Sequence, residues 1–220
     1  MKPTTPKRQP AVLLTGFSPF AGETVNPSWQ AVRALNDEVI EGCRVVAREL
    51  PTEFEGALRE LRKMWRGTKP CIAIAVGLAG GRKGISLERV AINVIDARIP
   101  DNAGNQPIDV PVVRGGPAAY FSTLPIKAAL AALQSAGIDA HVSQTAGTYV
   151  CNHVFYALMH AARRKNIRAG FVHVPYLLEQ AQRHDAPGMA LDEMIRALRI
   201  IVDAALTANA DAHISGGAEM

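Results

Sequence analysis

Apolar runs alternate with helical patterns along the chain, which predicts strands that alternate with helices. Continuous apolar runs at 11–15 and 71–76 are typical of strands that are buried on both faces. Further strands are predicted at 43–50, 85–95, 140–145 and 169–174, and helices at 27–39, 52–67, 125–136, from about 150 to 162, and 191–208. This order predicts an α/β fold, a single-domain three-layer α/β/α sandwich around a twisted, mostly parallel (mixed) sheet.

Capping residues mark two of these helix starts. Asn26 and Pro27 have the residue types favoured at the N-cap and first helical positions, and Thr52 with Glu55 forms a capping-box pattern.

Between the predicted elements, residues 96–117 are rich in Gly, Pro, Asn and Asp. Such a long loop in a compact domain is either functional or disordered.

Composition and charge limit the classes of protein to consider. The chain has 220 residues, 48% of them hydrophobic, enough for one core. Of its 24 bases, three lie in the first ten residues, which carry no acid, so 21 bases face 20 acids in the remainder. We therefore predict a flexible basic arm at 1–10, one folded domain at 11–209, a flexible tail at 210–220, and no nucleic-acid partner.

The cysteines indicate a reducing compartment. Cys43, Cys71 and Cys151 are an odd number without the spacing of a disulfide framework or a metal site. No apolar run reaches the length of a membrane span or a signal-peptide core. The sequence predicts a cytoplasmic protein with no bound metal and no membrane partner.

Cys151 stands out because it lies in the first turn of a predicted helix. The apolar stripe from Val154 to Ala162 defines the packed face of that helix, and Gly147 and Thr148 precede it. Backbone N–H groups and the helix dipole favour an anion at this position, so we expect a lowered thiol pKa and a nucleophilic cysteine. The alternative is a small buried hydrophobic residue, as most cysteines are.

A cysteine nucleophile requires a base, and helix geometry limits the choice. At about 100° per residue, His153 points roughly 200° away from Cys151, and His160 also falls on the far side. His141 lies at the start of its predicted strand, whereas His173 lies at the end of one. Sites in open α/β sheets gather at the carboxyl ends of strands, which favours His173.

Several carboxylates could orient that base. Glu88 would share the apolar face of a strand at 85–95, where an unpaired carboxylate is costly. The alternative explanation is an ion pair with Arg89 or Arg82 near the start of a strand. Spacing alone does not choose Glu88 over Asp96, Asp101 or Asp109.

Two alternative functions remain open on these residues. The glycines of GLAGG at 77–81, with Asp96 further on, suggest a nucleotide- or dinucleotide-dependent α/β enzyme, but their spacing is wrong and no helix pattern follows. The basic arm suggests a non-enzymatic binding protein. The motif FSPF at 17–20 instead offers two phenylalanines for a pocket that takes a small apolar ring.

Six separated blocks resemble the pyrrolidone-carboxylate peptidases, also called type I pyroglutamyl peptidases. They are LLTGFSPFAGETVNPSW, GGRKGISLERVAIN, DARIPDNAGNQPID, GPAAYFSTLPIKA, TAGTYVCNHVFYALMH and FVHVPYLLEQA, and the likeness extends from 13 to about 208. The resemblance implies a cysteine exopeptidase without a cofactor that removes N-terminal pyroglutamate from peptides through a thioester acyl-enzyme. It also implies Glu88, Cys151 and His173 as the catalytic groups, which settles the choice of acid.

The resemblance implies further roles at the substrate pocket. Phe17 and Phe20 would flank the pyroglutamyl ring, and Asn26 would recognise it. The apolar wall of the pocket would be completed by Ile99, Tyr149 and Val150. Arg98 would lie near the developing oxyanion. The sequence departs from the family at Leu78, where Gln is usual, and at Tyr149, where Phe is common. Bacterial members often form dimers or tetramers, so we expect a homo-oligomer.

Overall fold

The computed structural model describes residues 9–165 and 167–217, so the predicted basic arm lies largely outside the described residues. The strands are β1 (Ala11–Phe17), β2 (Val39–Ile40), β3 (Cys43–Leu50), β4 (Ile72–Leu78), β5 (Ile85–Glu88), β6 (Val90–Ile92), β7 (Ala119–Phe121), β8 (Ala140–Ser143), β9 (Arg168–Val174), β10 (Tyr176–Leu177) and β11 (Gly188–Met189). The helices are α1 (Pro27–Ala34), α2 (Phe54–Thr68), α3 (Ile126–Ser135), α4 (Val150–Ala162), α5 (Leu178–His184) and α6 (Leu191–Thr207).

The central sheet is mixed but mostly parallel, which confirms the predicted fold class. Its seven strands run in the order β2, β3, β1, β4, β9, β5, β8. The pairs β1–β3, β1–β4, β4–β9 and β5–β8 are parallel, whereas β2–β3 and β5–β9 are antiparallel. Strands β5 and β8 therefore run against the other long strands, and this reversal determines where their side chains meet β9.

Apolar side chains pack on both faces of this sheet. Along β1, Val12 and Leu14 face the core formed with α1, α3 and α6, while Leu13 faces the core formed with α2 and α4. Successive strand residues point to opposite faces, so one continuous apolar strand supplies both cores. Helices thus cover both faces in three layers, as the sequence predicts.

The predicted strand at 85–95 is wrong as a single element. It divides at Arg89, whose N–H donates to the carbonyl of Ser143 (2.9 Å) and whose carbonyl accepts from Ser122 (2.8 Å). Before this point β5 belongs to the main sheet, and after it β6 pairs with β7 in a separate hairpin. Glu88 therefore ends a strand of the central sheet and does not share a strand face with the apolar residues of β6.

The predicted capping box at Thr52 and Glu55 is also wrong. Helix α2 begins at Phe54, and the carboxylate of Asp101 accepts the Phe54 N–H at 2.8 Å. The Thr52 hydroxyl instead donates to the carbonyl of Ser18 at 2.8 Å. The cap of α2 is therefore supplied by Asp101, in a loop distant along the chain, and not by residues at the start of the helix.

Other element ends differ by smaller amounts. Asn26 and Pro27 begin α1 as predicted, but this helix ends at Ala34 because the chain turns through Asp37 at a φ of 66° before it enters β2. Helix α5 and the short strands β2, β7, β10 and β11 carry no clear periodic pattern and are absent from the sequence prediction.

The long loop at 96–117 is fixed to the body by hydrogen bonds. Asp101 accepts from the N–H groups of Ala103 (2.9 Å) and Asn105 (2.8 Å) while it caps α2. Asn102 donates through its side chain to the carbonyl of Pro19 at 2.8 Å. These contacts join the loop to the start of α2 and to the segment after β1, and they favour the functional alternative for this loop.

The segment after α6, predicted as a flexible tail, contacts the body at two points. The Asp211 carboxylate accepts from the N–H groups of Lys127 and Ala128 at 2.9 Å each, at the start of α3. The carbonyl of Gly216 accepts from the Arg89 guanidinium at 3.0 Å. The segment can move away from the body only if the hydrogen bonds at both contacts break.

Asp101→Asn should destabilise the fold. Burial raises the pKa of Asp101, but the N–H groups of Phe54, Asn105 and Ala103 outweigh it and hold the pKa below its usual range. The ionised Asp101 therefore stabilises the folded state at pH values above the pKa that this carboxyl has in the unfolded chain. This stabilisation is lost as the pH falls through the pKa of Asp101 in the folded protein. Both carboxylate oxygens of Asp101 accept N–H groups, whereas asparagine keeps only one acceptor oxygen and no charge, so we expect a loss of about 1 kcal/mol in the free energy of unfolding at pH 7.

Urea unfolding of the variant at pH 7 checks this expectation. Asp96→Asn is the matched control, because Asp96 is an exposed carboxylate of the same loop. Equal unfolding free energies for Asp101→Asn and Asp96→Asn would contradict the role of Asp101 as a cap.

Candidate active site

Three elements bring Cys151, His173 and Glu88 together on the α4 side of the sheet. Cys151 is the second residue of α4, His173 is next to last in β9, and Glu88 is last in β5. Because β5 runs antiparallel to β9, Ser86 lies opposite His173, and Glu88 lies opposite Phe171 two residues deeper in the sheet. Glu88 and His173 therefore project from the same face.

A short hydrogen bond joins the buried acid to the buried imidazole. Nδ1 of His173 lies 2.7 Å from Oε1 of Glu88, with the side chains 4% and 0% exposed. The ring of Phe171 packs against the imidazole at a centroid distance of 4.8 Å. The carboxylate and this ring fix the orientation of the imidazole, which leaves Nε2 for a reacting partner.

The thiol of Cys151 lies over a glycine of the neighbouring strand. A Cβ placed on Gly77 would come within 2.9 Å of both the Cys151 Sγ and the Phe171 ring. Gly77 is paired directly with His173 across β4 and β9. A residue without a side chain at position 77 is what lets the thiol approach the sheet beside the imidazole.

The expected lowering of the Cys151 pKa is wrong for this arrangement. Burial raises the pKa of the thiol to about 12, the Glu88 charge adds to the rise, and the Arg82 charge opposes it. Removal of water is the largest cause of this rise, and the residues around the cysteine in the sequence indicated only the helix start. The thiol therefore needs a proton acceptor before it can act as a nucleophile.

The carboxylate of Glu88 remains ionised despite its burial. Burial raises its pKa, but the hydrogen bond and charge of His173, the Ser143 hydroxyl and the Arg82 guanidinium together hold the pKa below its usual range. Arg82 donates from Nη1 to the same Oε1 at 2.7 Å. The arginine ion pair and the histidine contact, which sequence reasoning treated as alternatives, are both present.

The other candidate acids are engaged or exposed elsewhere. Asp101 caps α2, and Asp96 and Asp109 are exposed on the long loop. Of the four carboxylates considered, Glu88 is the one hydrogen-bonded to His173.

The remaining candidate histidines also have other partners. His153 lies 3.1 Å from the carbonyl of Phe54, His160 lies 2.9 Å from the Tyr120 hydroxyl, and His141 lies 3.0 Å from the Ser86 hydroxyl. His153 and His160 therefore face away from Cys151, as helix geometry predicts.

An apolar wall forms beside the start of α4. Phe20, in the segment after β1, lies near Tyr149 at a centroid distance of 6.4 Å. The Tyr149 hydroxyl donates to the carbonyl of Pro100 at 3.0 Å, which brings the segment with Arg98 and Ile99 to the same place. Arg98 and Ile99 are both exposed there.

Three other predicted pocket residues lie deeper in the fold. Phe17 is buried against Phe171 at a centroid distance of 6.3 Å, so it supports the site from behind. Val150 is fully buried at the first position of α4. Leu78 is half-buried at the end of β4, opposite Val174.

The Asn26 side chain is occupied within the protein. Its Oδ1 accepts from the N–H of Ser28 (3.1 Å) and from the Ser28 hydroxyl (2.8 Å), and its Nδ2 donates to the carbonyl of Ser18 (3.0 Å). This residue holds the segment that carries Phe20 and caps α1. Its contribution to a ring pocket is therefore through the position of that segment.

Sequence reasoning missed Gly77, Phe171 and the part played by Arg82. The signal for Arg82 was present as GGR directly after a buried strand, but it was considered only as a possible ion-pair partner. It also missed that Cys43 and Cys71 lie together, with their Sγ atoms 3.9 Å apart. Both are free thiols near the amino ends of β3 and β4, away from Cys151.

The described residues hold no group of three or more His, Cys, Asp or Glu side chains arranged for a metal ion. Within the same part of the chain, every helix is too short or too polar to cross a membrane.

Comparison with known proteins decides the family. A family model described as pyroglutamyl peptidase matches residues 10–208. The chain belongs to the pyroglutamyl peptidase family. It is 59% identical over 207 residues to the pyrrolidone-carboxylate peptidase of Chromobacterium violaceum, covering 94% of this chain and 97% of that protein. The counterpart in Escherichia fergusonii is 54% identical over 209 residues, covering 94% and 98%.

A solved structure supports the same assignment. The crystal structure of pyroglutamyl peptidase I from Bacillus amyloliquefaciens superposes with a TM-score of 0.92 at 47% identity, covering 94% of this chain and 100% of that one. Family membership makes the chain a cysteine-type hydrolase and removes the nucleotide-dependent enzyme as an alternative. In agreement, the GLAGG segment leads into β5 and not into the helix that a dinucleotide fingerprint requires.

Proposed function

We propose that this chain is a cysteine exopeptidase that hydrolyses the bond after an N-terminal pyroglutamyl residue, with Cys151 as nucleophile, His173 as acid and base, and Glu88 as the group that orients His173. The single observation that carries this assignment is the Glu88–His173 hydrogen bond of 2.7 Å beside a cysteine at a helix start. That arrangement supplies a nucleophile, a base and an orienting acid in a chain of this family.

The first step follows from the state of the thiol. Burial keeps Cys151 protonated, so Nε2 of His173 takes the proton as Sγ attacks the pyroglutamyl carbonyl carbon. The Glu88 carboxylate stabilises the imidazolium that forms. The carbonyl π electrons move to the oxygen and give a tetrahedral oxyanion.

The start of α4 offers donors for that oxyanion. Among the described residues, no side chain caps this helix, and its first intrahelical donor is the N–H of His153, which bonds to Tyr149. The N–H groups of Cys151 and Asn152 therefore have no acceptor within the helix. Such donors at a helix start stabilise negative charge on a reacting carbonyl oxygen.

The cycle closes with water. His173 gives its proton to the leaving amine as the C–N bond breaks, which leaves a thioester on Cys151. His173 then takes a proton from water, the hydroxide oxygen bonds to the carbonyl carbon, and the C–S bond breaks. Pyroglutamate leaves, and the thiol recovers its proton.

The apolar wall supports selection of an uncharged ring. Pyroglutamate has a lactam in place of a charged amine, so its methylenes can lie against Phe20, Tyr149 and Ile99 without burying a charge. A free N-terminal ammonium group would lose its water without gaining a partner. We therefore expect N-terminal glutamyl, glutaminyl and prolyl substrates to be poor.

Location and assembly follow as parts of this proposal. Three free thiols support a cytoplasmic location, where disulfides are rare. Large apolar side chains are exposed at Val39 (58%), Ile108 (64%) and Phe121 (70%), and these support self-association as a dimer or tetramer.

Cys151→Ser should reduce release of a fluorophore from a pyroglutamyl amide to background, because the serine hydroxyl is a far weaker nucleophile. Cys43→Ser and Cys71→Ser are matched controls that should retain most activity, since both thiols lie near the amino ends of β3 and β4. Loss of activity in either control, with a native circular dichroism spectrum, would count against Cys151 as the nucleophile.

Phe20→Ala should impair pyroglutamyl substrates by removing part of the apolar wall. We expect kcat/KM to fall by roughly 10- to 100-fold, the usual scale for lost apolar contacts in a pocket. Leu178→Ala, a change at a 52% exposed side chain at the start of α5, is the matched control and should leave kcat/KM unchanged. Efficient cleavage of prolyl or glutaminyl amides by the unaltered enzyme would overturn the pocket.

A further inference from the structure

The glycine-rich segment between β4 and β5 presents an arginine to the buried carboxylate. Gly80 lies directly against the ring of Tyr176, so a side chain there would collide with it. Gly81 has a φ of 84°, and the Arg82 N–H bonds to the carbonyl of Ala79 in a turn. The glycines, which resemble a phosphate-binding loop in the sequence, are needed for a tight turn that directs Arg82 back over the sheet.

The Arg82 guanidinium joins three segments of the site. Nη1 donates to Oε1 of Glu88 at 2.7 Å and to the Ser143 hydroxyl at 3.1 Å. Nη2 donates to the carbonyl of Thr145 at 2.9 Å. These partners belong to the end of β5, the end of β8, and the segment that leads into α4 and Cys151.

We propose that Arg82 is a positioning residue of the hydrolytic site: its guanidinium holds the Glu88 carboxylate against His173 and fixes the segment that leads to Cys151. This inference rests on the proposed function. The hydrogen bonds of the Arg82 guanidinium go to Glu88, Ser143 and Thr145, so Arg82 acts through Glu88 and through the segment before Cys151.

Geometry supports a role beyond simple charge neutralisation. Glu88 is 0% exposed, whereas the Arg82 side chain is 31% exposed, so one end of the guanidinium is open to water. Both Arg82 and His173 donate to the same oxygen of Glu88, each at 2.7 Å. Without Arg82, the Glu88 carboxylate is free to turn, and the imidazole of His173 loses the partner that fixes its orientation.

Charged and titratable side chains from three segments surround Glu88 and Cys151 in the described part of the chain. The titratable and charged groups that face Glu88 and Cys151 are His173 from β9, Arg82 from the segment before β5, and Tyr149 at the start of α4. The positive charge of Arg82 lowers the pKa of Cys151 and of Glu88. Its removal should raise the pKa of the Cys151 thiol and shift the alkaline limb of the pH profile to higher pH.

Three variants separate charge from geometry. Arg82→Met removes both the charge and the forked donor, Arg82→Lys keeps the charge but loses the fork, and Lys83→Met removes a charge from the adjacent residue. Lys83 is a suitable control because its side chain is 82% exposed and pairs with Asp139 at 3.2 Å. Each variant is measured for kcat and KM on a pyroglutamyl amide and for the rate of Cys151 alkylation by iodoacetamide, all against pH.

We expect Arg82→Met to lower kcat by roughly 100-fold with little change in KM, as misplacement of a catalytic group does. Both of its pH profiles should shift upward by on the order of one pH unit. Arg82→Lys should lose part of kcat while its profiles stay near those of the wild type. Lys83→Met should match the wild type in every measurement.

Two outcomes would overturn the proposal. The first is that Arg82→Lys and Arg82→Met both fold and retain wild-type kcat and alkylation profiles. The second is that Lys83→Met shows the same loss as Arg82→Met. Failure of the proposed function is distinguishable, because the unaltered enzyme would then release no fluorophore. In that case the alkylation profiles still test whether Arg82 acts on Cys151.

Discussion

A carboxylate without solvent exposure is the constraint on which the rest of the site depends. Glu88 is 0% exposed, and its Oε1 receives hydrogen bonds from both His173 and Arg82 at 2.7 Å. Its Oε2 has no partner among the described residues. Burial of a charge costs several kcal/mol unless it is paired, and both donors lower the pKa of this acid and help to keep it ionised. An ionised acid at this place then fixes the imidazole beside the thiol.

The mixed sheet is what allows the acid to reach that place. His173 comes from the carboxyl end of β9, in agreement with the general rule for sites on parallel sheets. Strand β5 runs the other way, so its last residue arrives deep under the imidazole and not at the edge of the sheet. The break at Arg89 then takes the chain out of the sheet into β6, which ends the main sheet strand where the acid is needed.

The apolar pattern along the chain was enough to predict two of the three catalytic candidates, because helix and strand ends depend on neighbouring residues. The start of α4 and the end of β9 follow from apolar periodicity and from Pro175, so Cys151 and His173 could be chosen from the sequence. Glu88 could not be separated from the loop aspartates by spacing, since its partners come from other strands. Resemblance to a family supplied what periodicity could not.

The wrong predictions have a common cause in contacts between distant residues. The cap of α2 comes from Asp101, which lies 47 residues from Phe54 along the chain. The direction of the Cys151 pKa depends on burial and on Glu88, neither of which the sequence around the cysteine reveals. Likewise, the need for glycine in GLAGG is explained only by distant contacts. Tyr176 packs directly against Gly80, and the turn lets Arg82 reach Glu88.

The pH dependence of kcat/KM in Glu88→Gln, compared with His173→Ala, tests the central role of the buried acid. Glutamine can keep a hydrogen bond to Nδ1 but carries no charge, so turnover should fall less than in His173→Ala, which should lose roughly 10²- to 10⁴-fold. The Glu88 charge raises the pKa of Cys151, so its loss should shift the alkaline limb of the profile to lower pH. Wild-type turnover with an unshifted profile in Glu88→Gln would contradict the account and reduce Glu88 to a structural partner of Arg82.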